Sequence, residues 1–137
     1  MEIKIGDRYE KIFIIDEEMI NKFSSSTGDA NQIHLDDNYA KNRGFKKRIV
    51  QGFLVGSLIS TVLGNYFPGN GTIYMSQLIR FRQPVYIYDQ VKVIIEAVEI
   101  TKNNWLKLKT TCKNQFGNLI IDGEAIVIPP DNCTIIL

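Results

Sequence analysis

The chain is poor in the residues that build metal centres and covalent scaffolds, with one histidine, His34, and two cysteines, Cys112 and Cys133. Two unpatterned cysteines fall short of a disulfide framework, and one histidine beside one carboxylate falls short of the three protein ligands of a catalytic zinc site. No metal is expected. A cysteine nucleophile would need His34 as its base, yet the segment around that histidine already offers a carboxylate, so both thiols read as free and non-catalytic. Net charge is nearly absent as well: 16 Lys and Arg against 15 Asp and Glu leave +1. This removes the global field that would draw the chain to nucleic acid or to an anionic membrane. No apolar run approaches the ~20 residues of a bilayer span, and the opening MEIKIGDRYEK lacks the apolar region of a secretory signal. A soluble, cytoplasmic protein is expected. Asn70-Gly71-Thr72 and Asn132-Cys133-Thr134 then count as chance matches to the glycosylation acceptor pattern. No Gly-rich nucleotide motif occurs, so no redox cofactor is expected.

What is present suits one domain over residues 1–137, long enough to bury a continuous core. Tyr9 to Ile15 is rich in β-formers and predicts a first strand. Asp16 has the chemistry of a helix N-cap, followed by Glu17 and Glu18 where the dipole favours acids; this helix is expected to run to about Ser25. A second short helix is expected from Asp36 or Asp37 to just before Gly44. From Gly52 to about Phe67 the chain is apolar on most sides and stops at Pro68-Gly69, as a buried helix would. Its small residues Gly56, Ser57, Ser60 and Gly64 leave room for a backbone or a ligand to approach. After Gly71 the pattern is β throughout, with strands expected over 72–85, 89–101, 105–115 and 119–128. In the third of these Leu106, Leu108, Thr110 and Cys112 alternate with Lys107, Lys109, Thr111 and Lys113, as in a sheet with one wet face. Short connections favour hairpins, so a four-strand antiparallel meander is expected, and Pro84 marks a bulge or an edge. The sum is an α+β plan in which a curved antiparallel sheet wraps a long central helix.

The candidate chemistry lies in Ser26-Thr27-Gly28-Asp29-Ala30-Asn31-Gln32-Ile33-His34-Leu35, which holds a carboxylate and the only histidine. Asp29 and His34 are five positions apart, roughly 140° around a helix and on opposite faces of a strand. Only an irregular loop lets them converge. Gly28, Asp29 and Asn31 suit such a loop.

These residues resemble a known family. Phe23, then Thr27-Gly28-Asp29-Ala30-Asn31-Gln32-Ile33-His34, is similar to the hydratase motif of the MaoC-like hotdog proteins, particularly the short (R)-specific enoyl-CoA hydratases. Ile49-Val50-Gln51-Gly52-Phe53-Leu54 resembles their second signature, and Tyr74 to Val85 their third. The resemblance implies a hotdog fold, a homodimer, and reversible hydration of trans-2-enoyl-CoA to (R)-3-hydroxyacyl-CoA with no cofactor. On it, Asp29 matches the catalytic aspartate, with water activation as its main role, and His34 the catalytic histidine, with protonation at C2. Adding water across an activated double bond needs such a base and acid. It also needs a donor for the charge that builds on the thioester oxygen. Gly52 meets that need at the expected start of the buried helix, where N–H groups are unpaired. Asn31 is a substrate or water ligand, or a residue that shapes the loop; Ser60 matches a position near the catalytic pair on the central helix. The basic run Lys46, Lys47 and Arg48 offers charge to the phosphates of coenzyme A.

Two departures from the family pattern stand out. Gln32 replaces a common Pro, loosening the loop, and Gln51 replaces a frequent His before the motif glycine. Two alternatives stay open: a 3-hydroxyacyl-thioester dehydratase acting on acyl carrier protein substrates, because the same residues serve both directions, and a non-catalytic acyl-thioester binding module.

Overall fold

In chain order the elements are β1 (Glu2–Lys4), β2 (Arg8–Ile14), α1 (Glu17–Thr27), a 3-10 turn (Gln32–His34), α2 (Asp37–Asn42), α3 (Gly52–Asn65), β3 (Ile73–Phe81), β4 (Gln90–Ile100), β5 (Leu106–Lys113), β6 (Leu119–Ile128) and β7 (Thr134–Ile136). They come from a computed structural model that describes all 137 residues. The fold is a hotdog: a five-stranded antiparallel sheet in the order β2-β4-β5-β6-β3 packs on α3.

Helix α3 is central because too little of it is polar to face water. Leu54, Val55, Leu58, Ile59, Val62 and Leu63 are all buried. They meet the inward residues of the sheet, among them Val93 and Ile95 of β4, Leu106 and Leu108 of β5, and Ile121 and Val127 of β6. Each such side chain contributes about 1.5 to 3 kcal/mol by leaving water, so this interface outweighs any local preference of the strands. The alternation expected in β5 holds, with Leu106, Leu108, Thr110 and Cys112 buried; Thr111, which faces the other way, is also covered because β5 is the middle strand.

The chain departs from a simple meander. Only β4, β5 and β6 follow one another as hairpins, while β3 pairs with β6 and never with β4. Residues 82–89 therefore carry the chain from one edge strand across to the strand beside the other edge, and β3 ends at Phe81, short of the expected 85. Pro84 lies in that crossing, outside every strand, where a missing N–H costs no ladder bond. The irregularity in β3 is instead a shift of register between Tyr74 and Ser76. The short parallel pair β1·β7, Glu2↔Thr134 to Lys4↔Ile136, lies outside the strands expected from the sequence; it is held by burial of Ile3. No helix is long and apolar enough to cross a membrane.

Candidate active site

The segment from Gly28 to His34 is shaped by its own polar side chains. Helix α1 is capped by Asp16, whose Oδ1 accepts from the Met19 N–H at 2.9 Å, and it ends at Gly28 in the left-handed region, φ 80°. A side chain there is strained, so glycine lets the chain reverse immediately after the helix. The Asp29 N–H donates to Thr27 Oγ1 (3.2 Å), and Asp29 Oδ1 accepts from the Asn31 N–H (3.1 Å). The Ser24 hydroxyl donates to the Asp29 carbonyl, and Asn31 Oδ1 caps the 3-10 turn by accepting from the Ile33 N–H at 3.2 Å. Asn31 thus holds the loop in shape. One carboxylate oxygen of half-buried Asp29 is committed to the loop, and Oδ2 accepts no hydrogen bond within the chain.

The 3-10 turn delivers His34 to the strand-like segment that precedes α3. Its Nδ1 lies 2.8 Å from the Ile49 carbonyl oxygen. A carbonyl only accepts, so Nδ1 carries the proton; in the neutral ring Nε2 is left with a lone pair, and in the imidazolium it becomes a donor. Ile49 is itself pinned, its N–H donating to Ile33 O at 3.1 Å, while the next N–H, of Val50, donates to Val85 O at 2.8 Å. Gln51 and Gly52 follow directly.

His34 and Gly52 line one cleft of about 290 Å³, together with Phe45, Val55, Phe81 and Pro84. Gly52 opens α3, its N–H has no acceptor in the chain, and Gln51 supplies no side-chain cap. An unpaired N–H at the positive end of a 14-residue helix is a ready donor for a developing oxyanion. Space for a side chain is also tight here: a Cβ would lie 3.0 Å from Phe81 Cε1 and 3.2 Å from its Cζ, so the ring would have to give by a few tenths of an ångström.

Asp29 and Ser60 are not among the residues lining that cleft. Ser60 is exposed on α3, in a separate groove of about 410 Å³ between α3 and β3 that also holds Phe53, Ser57, Tyr74 and Met75. Arg48 is unavailable to a phosphate. Its Nη2 is 3.0 Å from Glu17 Oε1, its Nε is 3.9 Å from Asp37 Oδ1, and only 16% of the side chain is exposed. It ties α1 to α2.

Two further residues shape the site without having stood out as carriers of chemistry. Gln51, 2% exposed, donates from Nε2 to the Ile20 carbonyl at 3.2 Å and so anchors the head of α3 to α1. Phe81 forms the wall against Gly52; its only signal in the chain was membership of the third motif. Cys112 is fully buried, and burial pushes its thiol up to about 12, so it holds no thiolate for nucleophilic work at neutral pH. No group of three or more His, Cys, Asp or Glu side chains is gathered as metal ligands would be.

Residues 3–116 match the model of the MaoC like domain. The chain is 35% identical over 130 residues to the (R)-specific enoyl-CoA hydratase of Rhodospirillum rubrum, covering 94% of this chain and 90% of that one. It is also 35% identical over 133 residues to the mitochondrial 3-hydroxyacyl-[acyl-carrier-protein] dehydratase of Arabidopsis thaliana, covering 94% and 79%. Among solved structures, an unliganded R-hydratase of Pseudomonas aeruginosa superimposes with a TM-score of 0.88 at 38% identity, covering 93% of this chain and 83% of that one.

Proposed function

The chain belongs to the MaoC-like domain family, and from that premise we propose that it is an (R)-specific enoyl-CoA hydratase: an enzyme that adds water reversibly to a trans-2-enoyl-CoA to give the (R)-3-hydroxyacyl-CoA. The observation that carries the reading is the His34–Gly52 cleft, where an imidazole of fixed tautomer stands with an unpaired backbone N–H. The (R)-hydratase relatives supply the chemistry that such a pair serves.

In the forward direction the Asp29 carboxylate takes a proton from water as the water oxygen bonds to C3. The C2–C3 π electrons move toward the carbonyl, and negative charge builds on the thioester oxygen. The Gly52 N–H donates to that oxygen, a contribution of about 3 to 4 kcal/mol for one well-aimed donor. The His34 imidazolium then gives the Nε2 proton to C2, keeping its Nδ1–H on Ile49 O throughout. Loss of the proton from Asp29 to solvent and uptake of one by His34 Nε2 reset the site. No metal or redox step enters this scheme. The acyl chain is assigned to the groove along Ser57, Ser60 and Tyr74.

The same reading includes one catalytic unit over residues 1–137 and a cytoplasmic homodimer. Strand β3 supports the dimer: it is an edge strand that leaves Ile73, Tyr74, Met75 and Leu78 exposed, a surface suited to joining two sheets.

The test is consumption of crotonyl-CoA and longer trans-2-enoyl-CoAs by the purified protein, followed by chiral analysis. An (R) product is expected. An (S) product, or no turnover at any chain length, would overturn the reading. The plant relative favours a second reading, dehydration of 3-hydroxyacyl groups on acyl carrier protein, and a higher kcat/KM with the carrier-bound substrate than with its CoA counterpart would support it.

A further inference from the structure

Gln51 is the largest polar side chain that the fold buries. Its Nε2 donates to the Ile20 carbonyl of α1 at 3.2 Å, while its Oε1 has no partner in the chain. The bond fixes which way the amide points: a carbonyl only accepts, so the NH2 end faces Ile20 and the oxygen faces away. Burying an unpartnered acceptor destabilises a fold, and an apolar side chain of the same size would avoid that cost. What only the amide supplies is a directional tie between two helices.

That tie connects both halves of the site. On one side, the Gln51 carbonyl accepts from the Leu54 and Val55 N–H groups at 3.0 and 3.2 Å to form the first turn of α3, and the free Gly52 N–H is next in the chain. On the other, Ile20 lies one turn before Ser24, whose hydroxyl donates to the Asp29 carbonyl, and Thr27 at the end of α1 accepts from the Asp29 N–H. No other hydrogen bond joins α1 to residues 49–65, and the Arg48–Glu17 pair holds the opposite end of α1 at the surface. Ile20, Met19 and Phe23 pack α1 onto the core, but apolar packing is non-directional: it sets the depth of the helix and leaves it free to slide. A bond to one carbonyl fixes the register.

We propose that Gln51 is a positioning residue for hydration: through Ile20 and Ser24 it sets the Asp29 carboxylate in register with the Gly52 N–H. The assignment rests on the hydratase reading, in which the carboxylate activates the water that attacks C3 while the N–H holds the thioester oxygen of the same molecule. Conjugation makes the enoyl thioester planar and fixes C3 relative to that oxygen, so the two protein groups need a fixed separation as well. Losing the register misplaces the base without removing either group, and it is therefore read in kcat and not in KM.

The test compares wild type, Gln51→Met, Ser24→Ala and the double variant on crotonyl-CoA. Methionine fills the space of Gln51 and leaves no unpartnered oxygen, so the urea midpoint is expected at or above that of wild type. Against that retained stability, kcat is expected to fall about 10- to 100-fold with KM within about threefold. An unchanged kcat, or a fall in kcat/KM carried by KM alone, would overturn the assignment. Ser24→Ala cuts the same path at the half-buried end of α1 and is read even where Gln51→Met does not fold. Its kcat is also expected to fall at steady KM, and wild-type kcat there would overturn the assignment too. Because both changes cut one path, the double variant is expected to be no slower than the slower single one; losses that multiply would show two independent roles and overturn it. The amide resonances of Asp29 and Asn31 in Gln51→Met read the register without turnover and are expected to shift from their wild-type positions. An inactive wild type would therefore sink the hydratase reading alone, whereas unmoved Asp29 and Asn31 resonances would sink this one.

Discussion

His34 Nδ1 and the Ile49 carbonyl oxygen, 2.8 Å apart, join the two halves of the candidate site. The residues are 15 apart in the chain, and Ile49 lies three before Gly52, so a single short segment both orients the imidazole and starts the helix whose N–H is free. Shifting that segment moves the His34 ring and the Gly52 N–H together.

Asp29→Asn keeps an oxygen for the Asn31 N–H but removes the proposed base. His34→Ala removes the proposed acid. Each is expected to lower the hydration kcat by about 10² to 10⁴ with the circular dichroism spectrum unchanged. Wild-type rates in Asp29→Asn would rule out its role as base.

Gly52→Ala introduces a Cβ 3.0 Å from the Phe81 ring, which must give by a few tenths of an ångström or push the start of α3 away. The donor is displaced, not deleted, so kcat is expected to fall about 10- to 100-fold. Adding Phe81→Leu frees the space and should restore part of the loss, measured as kcat on crotonyl-CoA. No recovery would mean that Phe81 is not the obstacle.

Arg48→Gln removes the brace between α1 and α2. Glu17 and Asp37 are each more than half exposed, so a cost of about 1 kcal/mol is expected in urea unfolding, partly screened by salt. KM for coenzyme A thioesters should stay within twofold of wild type. A tenfold rise in KM would return Arg48 to the phosphate.

Cys112 is neutral in the folded chain well beyond its ordinary value of 9.0, because burial raises it to about 12. Below pH 9 the thiol is protonated folded or unfolded, and its contribution to stability is complete. Between about 9 and 12 the unfolded chain loses the proton and the folded chain does not, so stability falls by about 1.4 kcal/mol per pH unit from this group. Cys112→Ala should flatten that alkaline slope in denaturant titrations relative to wild type, while hydration at neutral pH stays within twofold. An unchanged slope would show that Cys112 does not set it.

The local elements were legible because local physics makes them. Asp16 and Asp36 are capping residues whose oxygens do accept the first helical N–H groups, and the all-round apolar run after Gly52 had nowhere to go but the core. Side-chain alternation in β5 identified its buried face. Which strands pair was not legible. Pairing is a contact between distant segments, and nothing in 72–85 says that β3 joins β6 across the sheet instead of β4 beside it. The three-residue β1·β7 pair is too short to carry a period.

The same division runs through the site. From the sequence came the single histidine, the loop that must carry it, the glycine at a helix start and the motifs linking them. Only tertiary structure decided the working state of these groups, because each is set by a neighbour remote in sequence: Ile49 fixes the His34 tautomer, Phe81 crowds the position of Gly52, Glu17 ties up Arg48, and Ile20 holds Gln51 inside. Residue type states what chemistry a side chain can do; the partner supplied by the fold decides which of its protons, lone pairs or charges is left over to do it.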